Sequence, residues 1–126
     1  MNMKKILIIE DELDMLEVLG DKFSAENFEV LKAKNGDEGL EVSLREHPDI
    51  ILLDLVMPKM DGMTTMKKLR EDEWGKTVPI IILTNLSATD EKLIMGMVEG
   101  EPMYYLVKSD WKIKDVVKKV KEALNM

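Results

Sequence analysis

The chain has 126 residues, no cysteine and a formal net charge of −7, from 25 acidic and 18 basic residues. This length suits a single compact domain over residues 1–126, and the lack of cysteine excludes disulfides and thiolate metal sites. The acidic balance argues against direct binding of nucleic acid, because contact with phosphates requires a basic surface.

Short apolar runs alternate with longer amphipathic stretches along the whole chain. The runs are rich in isoleucine and leucine and closed abruptly by polar residues, which is typical of strands buried on both faces. In chain order we predict strand 6–9, helix 12–25, strand 29–33, helix 37–46, strand 50–53, helix 61–72, strand 80–83, helix 89–99, strand 104–107 and helix 113–125. Either Ser109 or Asp110 is expected to cap the last helix.

Alternation of strand and helix, repeated five times, predicts an α/β fold with a parallel sheet and helices on both faces. Right-handed crossovers favour a doubly wound sheet, and five strands favour the order 2-1-3-4-5. In that order the first and third strands are neighbours. The second strand, which is the most polar, then lies at an edge.

Polar residues follow the predicted strands, where open α/β sheets bind their ligands. Glu10 and Asp11 follow the first strand, Asp54 the third, Thr84 the fourth and Lys108 the fifth. Because the carboxyl ends of parallel strands meet at one edge of the sheet, we expect these side chains to converge there.

The expected convergence has a chemical meaning. Carboxylates of Glu10, Asp11 and Asp54 held close together repel one another unless a cation is present, and Mg²⁺ prefers such oxygen ligands. Lys108 adds a positive charge and Thr84 a hydroxyl donor. A carboxylate nucleophile, a divalent cation, a lysine and a hydroxyl are the groups needed to form an aspartyl phosphate.

Four segments in this order resemble the receiver domain of bacterial response regulators, over essentially the whole chain. They are ILIIEDE from residue 6, DIILLDLVMPKMDG from residue 49, IIILT ending at Thr84 and YYLVK ending at Lys108. The resemblance implies the flavodoxin-like receiver fold and a stand-alone domain of the chemotaxis-regulator kind. It implies a signalling phosphoacceptor rather than an enzyme. Such a domain takes a phosphoryl group from a histidine kinase or phosphotransfer protein.

The same resemblance implies a role for each site residue. Asp54 matches the phosphoacceptor, and Thr84 and Lys108 match the hydroxyl and lysine that contact the phosphoryl group. Thr84 and Tyr105 match the pair that switches the protein-binding face. The Mg²⁺ ligands implied are Glu10, Asp11, Asp54 and the backbone carbonyl of Val56. The departures from the usual pattern include Glu10, which stands for an aspartate, and Ser109, which stands for the proline after Lys108.

Other functions remain open at the level of sequence. A receiver-like scaffold that is never phosphorylated is one alternative, and an Mg²⁺-dependent aspartyl-phosphate hydrolase is another. His47, the only histidine, is interpreted as a structural or solvated loop residue. The sequence contains no signal peptide and no apolar run of the ~20 residues that cross a bilayer. We therefore expect a cytoplasmic domain with no membrane partner, and its downstream protein partner is not indicated.

Overall fold

The structure, a computed structural model, describes residues 3–54, 62–84, 104–107 and 112–126. The predicted helix over 89–99 lies outside these residues. The described elements are β1 (Lys5–Ile9), α1 (Leu13–Ala25), β2 (Glu29–Ala33), α2 (Gly36–Glu46), β3 (Ile50–Asp54), α3 (Gly62–Glu71), β4 (Ile80–Thr84), β5 (Tyr104–Val107) and α4 (Ile113–Ala123). Within those ranges, no helix combines the length and the apolar character that crossing a bilayer requires.

The five strands form one parallel sheet in the order β2-β1-β3-β4-β5, which confirms the predicted order. Because all five strands are parallel, the chain must cross from one end of the sheet to the other between successive strands. Each of these four connections therefore needs a long stretch of chain. β3 is buried along its whole length, whereas β2 has exposed and half-buried residues. The apolar run over residues 50–53 therefore lies at the centre of the sheet, and the polar second strand lies at an edge, as expected.

The sheet buries apolar side chains on both faces, because successive residues of a strand point to opposite sides. One core joins the sheet to α1 and α4, and the other joins it to α2 and α3. The buried strand residues in the two cores are Ile6, Ile8, Ile50, Leu52, Ile81 and Leu83 on the first side, and Leu7, Ile9, Ala33, Ile51, Leu53, Ile80 and Ile82 on the second.

Two helix starts show how local chemistry sets the element bounds. Asn35 caps α2, since its side chain accepts a hydrogen bond from the backbone N–H of Glu38 at 2.9 Å. The prediction that Ser109 or Asp110 caps the last helix is wrong, because α4 begins at Ile113 with Lys112 as its N-cap. The backbone N–H of Lys112 donates instead to the Asp115 carboxylate at 2.9 Å, so an acid inside the first turn supplies the acceptor.

Helix α2 approaches β1 closely at the end of the strand that leads into the acidic residues. A Cβ atom built at Gly39 would overlap the side chain of Ile9. Ile9 is the last residue of β1 and immediately precedes Glu10. The absence of a side chain at Gly39 thus lets the helix pack against the strand end that leads into the candidate site.

Candidate functional site

The carboxyl ends of β1 and β3 bring three acidic residues together. Ile9 pairs with Leu53 across the two strands, so the next residue of each segment, Glu10 and Asp54, lies at the same edge of the sheet. Glu10, Asp11 and Asp54 each offer one carboxylate oxygen, and the three oxygens lie within 4.8 Å of one another. The acidic residues that were predicted to converge do lie in one cluster.

Two of the three carboxylates are almost fully shielded from solvent. Glu10 is 2% exposed and Asp54 is 4% exposed, whereas Asp11 is half-buried and lies nearer the surface. Negative charges at such separations interact more strongly in a buried site than in water, and their burial is costly without a compensating positive charge. The cluster is therefore an arrangement that favours a bound cation.

The donor set fits magnesium in its chemistry. Mg²⁺ takes oxygen ligands and is commonly held by one or two carboxylates, with water and substrate phosphate completing its coordination. Glu10, Asp11 and Asp54 supply only carboxylate oxygens, and the chain has no cysteine to favour a softer metal. Asp11 is half-buried, so part of its side chain is accessible to solvent.

Hydrogen bonds hold the turn between β1 and α1. The backbone N–H of Glu10 donates to the carbonyl of Ala33 at 3.0 Å, which continues the pairing of β1 with β2. The backbone N–H of Glu12 donates to the Glu10 carboxylate at 3.2 Å. Glu12 is the N-cap of α1 but makes no cap with its own side chain. Asp11 therefore lies between two residues that are bonded to each other.

The hydrogen bond between the Glu12 backbone and the Glu10 carboxylate was not predicted from the sequence. The signal that could have indicated it is the run Glu10-Asp11-Glu12 directly before a helix start, because a carboxylate two residues before an N-cap can accept from the backbone there.

The backbone register brings one further predicted site residue, Thr84, to the same edge of the sheet. Asp54 pairs with Leu83 of β4, so Thr84 ends its strand one position beyond. Thr84 in turn pairs with Val107, the last residue of β5. Lys108, the next residue, lies outside the described residues, as does Val56. The predicted roles of Thr84, Lys108 and Val56 remain predictions.

Tyr105 lies in β5, where its backbone pairs with Ile82 of β4. The strand prediction for this segment is confirmed. The assignment of Tyr105 as a switch residue stays a prediction.

His47 lies away from the acidic cluster. It follows α2 in the left-handed conformation, with φ of 47°, and precedes the first residue of β3, at the opposite end of the strand from Asp54. Its ring stacks on Trp74, with centroids 4.6 Å apart and an angle of 7° between the planes. The interpretation of His47 as a structural residue agrees with this contact.

Comparison with known proteins identifies close similarity to one family. Residues 6–121 match the family model for the response regulator receiver domain. Over 98% of its length the chain is 36% identical to a probable transcriptional regulator, ycf27, of Porphyridium aerugineum. Over 76% of its length it is 36% identical to the response regulator PleD of Caulobacter vibrioides. These matches span only 52% and 21% of the two relatives.

Solved structures share the fold over nearly the whole chain. The chemotaxis protein CheY4 of Vibrio cholerae superimposes with a TM-score of 0.85 and 25% identity, covering 96% of this chain and 98% of that one. The response regulator protein TrrA of Thermotoga maritima, solved in complex with Mg²⁺ and BeF, gives a TM-score of 0.82 and 29% identity, with 95% and 98% covered.

Proposed function

Because the chain belongs to the family of response regulator receiver domains, which are signalling phosphoacceptors, we propose that Asp54 takes a phosphoryl group from the phosphohistidine of a histidine kinase or phosphotransfer protein. The observation that carries the proposal is the cluster of Glu10, Asp11 and Asp54 at the carboxyl ends of two central strands. Within it, Asp54 is the residue that the resemblance of the segment from residue 49 implies as the acceptor.

The transfer needs little covalent chemistry from the protein. A carboxylate oxygen of Asp54 forms a bond to phosphorus while the bond from phosphorus to the donor imidazole nitrogen breaks. The nitrogen keeps the electron pair of the broken bond and takes up a proton. That proton balances the loss of the negative charge of the carboxylate, and the charge of the phosphoryl group itself is unchanged. Positioning and neutralisation of charge then account for most of the acceleration.

Magnesium is the proposed cofactor, held by Glu10, Asp11, Asp54 and the backbone carbonyl of Val56. When bound, Mg²⁺ offsets the negative charge on the phosphoryl oxygens and on the carboxylates. The support is the all-carboxylate cluster, together with the Mg²⁺ and BeF in the complex of TrrA, which is 29% identical.

Three further residues complete the proposed switch. Lys108 pairs with a phosphoryl oxygen as a point charge, Thr84 donates its hydroxyl to another, and Tyr105 responds to the movement of Thr84. The support is the family resemblance and the pairing of Thr84 with Val107, which brings the ends of β4 and β5 together.

The proposed partners are proteins. We assign the whole of residues 1–126 to one receiver domain, although the relatives that it matches are longer and include transcriptional regulators. With a net charge of −7, this domain is not expected to contact nucleic acid itself, since such contact needs a basic surface. A histidine kinase supplies the phosphoryl group, and a second protein reads the switched face.

Incubation with acetyl phosphate and Mg²⁺, followed by intact-mass analysis, tests the proposal. The wild type should gain one phosphoryl group, and Asp54→Asn should gain none. Asp37→Asn is the matched control, because Asp37 is an exposed acid at the start of α2 and its loss should change nothing. An adduct that persists in Asp54→Asn, or a wild type that never gains one, would contradict the assignment of the acceptor.

A further inference from the structure

We propose that Glu10 is a positioning residue, whose carboxylate holds the turn between β1 and α1 in the shape that presents Asp11 to the cation. The inference rests on the proposed function, because it concerns how the same site is built. It assigns to Glu10 a task that is separate from its negative charge, namely the acceptance of a backbone hydrogen bond.

The first observation is the contact itself. Glu10 is 2% exposed, and its carboxylate accepts from the backbone N–H of Glu12 at 3.2 Å. The backbone N–H of Glu10 is bonded to the Ala33 carbonyl, which ties the residue to the sheet. A buried side chain on an anchored backbone thus sets the position of the N-cap of α1.

The second observation concerns the N-cap of α1, Glu12. Its side chain forms no cap on α1, although Glu12 occupies the N-cap position with an extended backbone. Its carbonyl accepts the first helical hydrogen bond, from Leu16 at 2.9 Å. The bond from the backbone N–H of Glu12 to the Glu10 carboxylate gives a partner to one of the N–H groups that the start of a helix cannot pair internally.

The bond between Glu10 and Glu12 affects the position of Asp11. Asp11 lies between the two bonded residues, so the bond restricts its backbone angles, and its carboxylate lies in the cluster with Asp54. Groups that orient a metal ligand typically change metal affinity by about 10- to 100-fold when they are removed. Glu10 is itself a proposed ligand, so this effect adds to the loss of its own oxygen from the site. Loss of the acceptor at residue 10 should therefore weaken the cation site beyond the effect of losing one charge.

Two substitutions separate the charge from the hydrogen bond. Glu10→Gln removes the charge but keeps an oxygen that can accept from the backbone N–H of Glu12, whereas Glu10→Ala removes both. Asp14→Asn is the control for charge, because Asp14 is an exposed acid in the first turn of the same helix and its substitution leaves the bond intact.

The measurements are the Kd for Mg²⁺ by calorimetric titration and the exchange rate of the Glu12 amide proton by NMR. We expect the Kd of Glu10→Ala to exceed that of Glu10→Gln by at least about tenfold, and its Glu12 amide to exchange faster. Asp14→Asn should resemble the wild type in both. Thermal unfolding of each variant shows whether it is folded, and Glu10→Gln remains informative if Glu10→Ala is not.

The possible failures are distinguishable. If the wild type binds Mg²⁺ and the two Glu10 variants weaken it equally, with the Glu12 amide unchanged, the positioning role is wrong and the proposed function stands. If the wild type does not bind Mg²⁺ at all, both the cofactor assignment and this inference are wrong.

Discussion

Ser43 is a buried polar residue whose hydroxyl has no hydrogen-bond partner in the part of the chain that the structure describes. It is 0% exposed and lies on the face of α2 that packs on the sheet. A buried hydroxyl without a partner costs free energy, because folding removes its hydrogen bonds to water without replacing them. The residue therefore favours close packing of the helix through its small size and opposes folding through its polarity.

Ser43→Ala should raise the free energy of unfolding by about 1 kcal/mol, because it removes the unsatisfied hydroxyl and improves helix propensity. Denaturant unfolding measures the change. Ser24→Ala is the control, since Ser24 is exposed in α1 and gains only in propensity, by up to about 0.5 kcal/mol. A Ser43 variant that is no more stable than the control, or less stable than the wild type, would show that the hydroxyl is satisfied in solution.

At the scale of elements, an ion pair joins the C-terminal end of α1 to α4. Lys121 donates to the Glu26 carboxylate at 2.7 Å, and Lys22 lies 3.7 Å from the same carboxylate. The hydrogen bond and charge of Lys121, with a smaller contribution from Lys22, hold the pKa of Glu26 below its usual 4.5. A carboxyl group whose pKa is lower in the folded state stabilises the fold when it is ionised.

The sign of the pH dependence follows from that direction. The stabilisation is fully present above the unfolded pKa of Glu26 and is lost as the pH falls through the lower folded value. Glu26→Gln should therefore be less stable than the wild type near neutral pH, and the difference should shrink below pH 4.5. Urea midpoints at several pH values and two salt concentrations measure it, with a smaller difference at high salt because the pair is accessible to solvent.

Glu71→Gln is the control for this prediction. Glu71 is an exposed acid at the end of α3, and no ion pair of Glu71 is found among the described residues. Its substitution should leave the urea midpoint nearly unchanged at every pH. If Glu26→Gln behaves in the same way as Glu71→Gln, the contact between Glu26 and Lys121 does not stabilise the packing of α1 against α4.

The sequence predicts the described elements closely because their apolar patterns are strong. Buried parallel strands are apolar on both faces, so runs such as residues 50–53 stand out without any knowledge of their partners. Helix ends were harder, because the cap of α4 depends on Asp115 inside the first turn rather than on a serine before it. The stack of His47 on Trp74 joins distant parts of the chain, and no local pattern indicates such a contact.

In the candidate site as well, features set by the order of the strands could be predicted, whereas details of local geometry were harder to predict. Convergence of Glu10, Asp11 and Asp54 could be predicted, because strand order alone brings the ends of β1 and β3 together. The bond from the Glu12 N–H to Glu10 was not predicted. The run of three acids before a helix start is a signal for such a bond, but whether the bond forms depends on the backbone angles of one short turn.

At the scale of the whole molecule, the sheet order explains why the acidic cluster can be both buried and reachable. β1 and β3 are both inner strands, with helices packed on both faces of the sheet. Their side chains fix the backbone of the strands, so the sheet itself holds Asp54 at the end of β3, while Glu10 and Asp11 lie in the turn directly after β1. The carboxyl ends of such strands are where open α/β sheets bind ligands.

The most direct test of the claim that Asp54 accepts the phosphoryl group beside a bound Mg²⁺ is the structure of a crystal grown with Mg²⁺ and beryllofluoride. The account predicts beryllofluoride on the carboxylate of Asp54 and an Mg²⁺ ion bound among the oxygens of Glu10, Asp11 and Asp54. Crystals of the folded wild type in which both positions stay empty at saturating Mg²⁺, or in which beryllofluoride binds another acid, would contradict it.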